Sequence, residues 1–92
     1  MNALKPIRRP NIFTKIISNE TLLYSSDQEQ VLVLNPTASL IWELCDGEHN
    51  LQEIEHILRS TFSMEAEHDI MTEIQRALEV FTDKGLLQHP MQ

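Results

Sequence analysis

The sequence predicts an α+β fold in which a three-stranded antiparallel N-terminal sheet is followed by three helices, in a winged helix-turn-helix-like order. Three observations carry that prediction. Phe13 to Ile17, Thr21 to Ser25 and Gln30 to Leu34 are short runs rich in Ile, Leu, Val, Thr, Phe and Tyr, with Ser-Asn-Glu and Ser-Asp-Gln-Glu between them. Two helix starts are written as caps, Asn35-Pro36 and Asn50 with Glu53 three residues later. A last apolar pattern at helical spacing runs from Ile70 to the stop at Lys84-Gly85.

Each element follows from local chemistry. Met1 to Asn11 carry two prolines and no sustained pattern, so residues 1–11 are expected to form a flexible basic arm, with a domain over 12–88 and a tail over 89–92. In the third strand, alternation points Leu32 and Leu34 into the core and Val31 and Val33 away from it. Pro36 sits where a missing amide hydrogen costs nothing, and the helix it opens runs to about Leu44, with Ala38, Ile41, Trp42 and Cys45 on one side. Gly47 is placed to take the left-handed conformation that stops a helix. The Asn50/Glu53 capping box opens a second helix whose Leu51, Ile54, Ile57, Leu58 and Phe62 form one stripe, ending near Thr61. The third helix is expected from near Ala66, with Ile70, Ile74, Ala77, Leu78 and Phe81 inward, acids in its first turns and a lysine at its end, as the macrodipole favours. Leu86 and Leu87 then return as a short extended segment.

Composition narrows the function. At 92 residues there is room for one small domain. The longest apolar run is Val31-Leu32-Val33-Leu34, far short of the roughly 20 residues a membrane-spanning helix needs. The N-terminus lacks the apolar core and cleavage site of a secretory signal, so a cytoplasmic location is expected. Cys45 stands alone, cannot form an internal disulfide, and reads as a small buried apolar residue. Lys5, Arg8, Arg9 and Lys15 all precede the first acid, Glu20; beyond them three bases, Arg59, Arg76 and Lys84, face fourteen acids, a net charge of −11 with histidine neutral. Such a surface repels a phosphate backbone.

From Val31 to Leu87 the chain resembles the PqqD family, small proteins that bind precursor peptides of ribosomally made, modified natural products. The resemblance is most specific in Leu34-Asn35-Pro36-Thr37-Ala38 leading through Ile41-Trp42-Glu43-Leu44-Cys45-Asp46-Gly47. It is reinforced by Leu51-x-x-Ile54, then Phe62, then the long helix ending in Lys84-Gly85-Leu86-Leu87. It implies a non-catalytic peptide chaperone: the leader segment of a precursor peptide adds as a strand to the edge of the third strand, Gln30, Val31, Leu32, Val33 and Leu34, and lies against the third helix. An edge strand suits that role, because unpaired amides and carbonyls give affinity and alternate side chains give specificity. Along the third helix, Met71, Ile74, Gln75 and Leu78 are the expected contacts, methionine being able to accept several side-chain shapes. The implied partners are the leader peptide and a modifying enzyme, such as a radical SAM enzyme or a lasso-type peptidase, and the exposed strand edge can also pair two copies into a homodimer. Where the member serving pyrroloquinoline quinone (PQQ) biosynthesis is expected to carry a Tyr-Pro-Glu-Gly-like turn, this chain has Tyr24-Ser25-Ser26-Asp27-Gln28-Glu29. The resemblance therefore implies peptide binding and leaves open a modified-peptide pathway other than that of PQQ.

No catalytic or metal site is expected, and no cofactor. Glu53-Ile54-Glu55-His56 and Glu65-Ala66-Glu67-His68 match the Glu-x-x-His spacing of di-iron bundles, but such a site needs further inward glutamates from a four-helix bundle. His49 and His89 lie in polar or terminal contexts, and Cys45 at a buried helix end lacks the electropositive, accessible setting of a reactive thiol. Two other classes compete. A winged-helix DNA-binding transcriptional regulator shares the order of elements, yet between Ala66 and Lys84 five acids face two bases, where a recognition helix needs bases. A structural docking subunit would differ from the chaperone only in having no peptide affinity of its own.

Overall fold

The computed structural model describes residues 5–25, 31–65 and 67–88. Three strands, β1 (Ile12–Ile17), β2 (Glu20–Ser25) and β3 (Val31–Leu34), precede three helices, α1 (Pro36–Glu43), α2 (Leu51–Phe62) and α3 (Ile70–Asp83). The strands form one antiparallel sheet in the order β1-β2-β3. A two-residue turn, Ser18-Asn19, joins β1 to β2, with Ser18 at a left-handed φ of 58°. Of the expected third strand, Gln30 lies outside the described residues, as does most of the turn before it.

Register decides which face is wet. Phe13, Tyr24 and Val31 lie in one row across the sheet, and Thr14, Leu23 and Leu32 in the next. Period-two alternation then sends Leu23 and Leu34 inward, where both are buried, and leaves Tyr24, Val31 and Val33 exposed. Phe13 and Tyr24 stack on that outer face with ring centroids 5.4 Å apart.

The caps act as the sequence implies. Asn35 Oδ1 accepts from the Ala38 amide at 2.8 Å, and Pro36 opens α1. Asn50 and Glu53 exchange reciprocal bonds of 2.8 Å, a complete capping box. The third helix starts at Ile70 and not near Ala66, because the Asp69 carboxylate accepts from both the Thr72 amide and the Thr72 hydroxyl and so fixes the first turn after itself. Its end is a Schellman arrangement: Leu86 N–H reaches Phe81 O at 2.8 Å and Gly85 N–H reaches Thr82 O at 3.0 Å, with Gly85 at φ 73°. The α2–α3 loop is fastened by Arg59, whose guanidinium donates to the carbonyls of Glu65 and His68 while pairing with Glu55.

The core gathers Leu23 and Leu34 of the sheet with Ile41, Trp42, Ile54, Leu58, Ile70, Ile74, Leu78 and Phe81 of the helices. Trp42 meets Phe81 edge to face at 5.2 Å, tying α1 to α3. Cys45 is fully buried and donates its thiol hydrogen to Ile41 O.

The arm expected over residues 1–11 is corrected by what residues 6–9 do. Pro6 is buried, and the chain forms bridges from Ile7 to Asp46 and from Arg8 to Leu87, so it lies between the α1–α2 loop and the segment after α3. Four backbone bonds hold it, from Arg8 to Cys45, Arg9 to Leu86, Gly47 to Pro6 and Gln88 to Ile7. The Arg8 guanidinium donates to the carbonyls of Trp42 and Glu43 and so faces the negative dipole end of α1, where Trp42 O also accepts from the Cys45 amide. Gly47 does not end α1, which stops at Glu43; its φ of 81° lets the loop approach the arm, where a Cβ would stand 3.0 Å from Ile7 Cγ1. Leu86 and Leu87, expected as a short extended segment, lie on the other side of this strap, where Leu87 bridges Arg8 and both side chains are buried.

Candidate peptide-docking edge and groove

Strand β3 is the last strand of the sheet, so one side of its backbone pairs with β2 and no described strand pairs with the other. Its alternate amides and carbonyls on the free side have hydrogen-bonding capacity that a fourth strand can use. Val31 and Val33 are 62% and 53% exposed on the outer face, while Leu32 and Leu34 pack toward the core. Any added strand would therefore lay its own alternating side chains on the same two faces.

Where β3 ends at Leu34 the chain turns into α1, and a groove of about 280 Å³ opens between α1 and α3. Asn35, Thr37, Ala38 and Ile41 line one wall; Glu73, Arg76, Ala77 and Val80 line the other. Ala38 and Ala77, both with short side chains, face the groove from opposite walls. Their relative position is held from below by the Trp42–Phe81 contact. The lip is polar: Glu73 is hydrogen-bonded to His68 at 2.6 Å, and Arg76 is exposed.

The residues expected on α3, Met71, Ile74, Gln75 and Leu78, do not line this groove. Ile74 and Leu78 are buried in the core, and Met71 is half-buried against it. Gln75 is exposed, but at 100° per residue Met71 and Gln75 lie on the opposite flank of the core stripe from the groove. The groove wall is instead 73, 76, 77 and 80, an i, i+3, i+4, i+7 set rotated to the other side of Ile70, Ile74 and Phe81. The sequence carries one trace of it, since Val80 falls outside the core stripe and is left 41% exposed.

Among the described residues no group of three or more His, Cys, Asp and Glu side chains converges to hold a metal ion. Glu53 of the first Glu-x-x-His pair is committed to its capping box. Burial pushes the Cys45 thiol up to about 12 from 9.0, outweighing the opposing pull of Arg8, so it is not a thiolate near neutrality. No helix is long and apolar enough to cross a membrane among the described residues.

Comparison with known proteins bears on this geometry. No curated protein sequence matches the chain significantly. The solved structure of "TbiB1 in Complex with the TbiA(beta) Leader Peptide" has the same fold, with a TM-score of 0.76 at 17% identity, covering 94% of this chain and 99% of that one. Residues 20–87 match the family described as coenzyme PQQ synthesis protein D, PqqD. The match takes in β2, β3, all three helices and both walls of the groove, and by it the chain belongs to the PqqD family.

Proposed function

We propose that this protein is a non-catalytic adaptor that binds the leader segment of a ribosomally synthesised precursor peptide by strand addition and presents it to a modifying enzyme. The carrying observation is the open edge of β3 running into the α1–α3 groove. The edge supplies main-chain hydrogen bonds and the groove supplies a place for side chains, the two components of strand-addition recognition. Family membership and the fold shared with a protein solved with a leader peptide support the same reading. Within it, Val31, Leu32, Val33 and Leu34 pair with the leader, and the α3 contacts are Glu73, Arg76, Ala77 and Val80 in preference to Met71 and Gln75. The enzyme served is of the PQQ type or another peptide-modifying system, such as a radical SAM enzyme or a lasso-type peptidase, working in the cytoplasm.

Calorimetric titration with leader peptides encoded beside its gene, with amide chemical shifts followed in parallel, tests the proposal. Saturable binding with shifts confined to Val31–Leu34, Asn35–Ala38 and Glu73–Val80 is expected. Shifts on another surface overturn the groove. Absence of binding to any neighbouring leader favours a docking subunit, and salt-dependent gel shifts with DNA would favour a regulator, against which the exposed acids Glu79 and Asp83 of α3 argue.

A further inference from the structure

The chain has four arginines, and three of them are committed to the fold. Arg8 donates to the carbonyls that end α1, Arg9 to the carbonyl of Leu87, and Arg59 to Glu55 and the α2–α3 loop. Arg76 differs. Among the described residues it makes no hydrogen bond and no ion pair, and it stands on the lip of the groove that receives the strand. Its nearest acidic neighbour on the same wall, Glu73, is hydrogen-bonded to His68 and does not pair with it.

This placement matters because of the charge around it. A chain with a net charge of −7 disfavours an acidic peptide overall. Among the residues that line the groove Arg76 is the one cation, and its guanidinium offers a planar fork of donors to a carboxylate. Ala77 and Val80, one and four residues further along α3, make the apolar floor next to it. A bound strand therefore meets a side-chain socket and a single cation side by side, at a fixed spacing set by the helix.

Resting on the strand-addition reading, we infer that Arg76 is a specificity residue that requires an Asp or Glu in the bound peptide, at one defined position beside the apolar side chain seated over Ala38 and Ala77. The peptide class is a strand carrying an apolar anchor with an adjacent carboxylate. The pair also fixes register: sliding the peptide by two residues keeps the main-chain ladder but moves the carboxylate away from Arg76 and toward the acids of α3.

The test is selection of a displayed random-peptide library against the full-length wild-type protein, R76A and R76E, with A77W as a blocked-groove control. Binders to the wild type are expected to enrich Asp or Glu at one position, binders to R76E to enrich Lys or Arg at that same position, and binders to R76A to show no charge preference there. For one selected peptide, R76A and replacement of the peptide's carboxylate by its amide should each weaken binding about fivefold, and the two together no further than either alone. Identical residue profiles for wild type and R76E, or additive losses in that cycle, overturn the assignment. If selected peptides lose binding to A77W yet ignore Arg76, the groove reading stands and this inference falls. If they bind A77W as well as wild type, or no peptide is selected at all, the groove reading itself fails. Arg76 is exposed, so thermal melts of R76A and R76E should match the wild type and separate lost recognition from lost fold.

Discussion

The indole of Trp42 and the ring of Phe81 meet edge to face with centroids 5.2 Å apart, joining the helix that forms one wall of the groove to the helix that forms the other. Both rings are almost completely buried. Replacing Phe81 by Ala should cost about 3–5 kcal/mol, combining lost burial with the cavity left under Trp42. Against a total stability of about 5–15 kcal/mol for a domain, that change should leave a large unfolded fraction in mild urea, and Phe81→Leu a much smaller one. Urea denaturation followed by Trp42 fluorescence measures both; equal midpoints for wild type and Phe81→Ala would show that the contact does not hold the two helices.

Ala77 and Gln75 occupy opposite flanks of α3. An indole at position 77 fills the groove, whereas one at position 75 projects from the other side of the core stripe. Ala77→Trp is expected to weaken leader binding at least about tenfold, roughly the loss of one anchor side chain's contribution, and Gln75→Trp to leave it unchanged. Calorimetry with both variants distinguishes the flanks, and the reverse result would return the site to Met71 and Gln75.

Ser63 ends α2 at φ 52° and ψ 46°, with the Met64 amide bonded to Arg59 O at 3.1 Å. A side chain in this left-handed region is strained, and glycine is not. Ser63→Gly should raise stability by about 0.5–1 kcal/mol, partly offset by the greater freedom of glycine in the unfolded chain. A higher urea midpoint at unchanged slope is the expected signature.

Asp69 caps α3, and the hydrogen bond from the Thr72 hydroxyl, aided by that from the Thr72 amide, holds its carboxyl below its ordinary 3.8. A carboxylate depressed in the folded state contributes stability that is complete above the unfolded value, here 3.8, and is lost as pH falls from there through the folded value. The wild type should therefore exceed Asp69→Asn in melting temperature at pH 5 to 7 by a constant margin, which shrinks below pH 3.8. A margin that stays constant down to pH 2 would show that the ionised cap contributes nothing to α3.

Much of the fold was legible because it is local. The caps at Asn35 and Asn50 act within three residues of themselves, and the left-handed glycine at Gly85 closes a helix from the adjacent position. The in-and-out alternation of Val31 to Leu34 likewise needs only the period of a strand. The start of α3 was misplaced because acids before a helix pattern do not say which of them turns its side chain back; Asp69 does.

The sequence by itself determined the order of elements, the core stripes, the acidic surface and the family resemblance, since each is carried by neighbours along the chain or by charge. The tertiary structure alone decided that residues 6–9 are strapped across the domain, because their partners, Cys45 and Leu86 among them, are far away in sequence. It also decided which flank of α3 faces the groove. A helix whose apolar stripe is bordered by a mixed polar and apolar flank on either side offers both to solvent until another element packs against it. Here the T-shaped contact of Phe81 with Trp42 sets α1 beside Glu73, Arg76, Ala77 and Val80, and so turns that flank toward the end of β3.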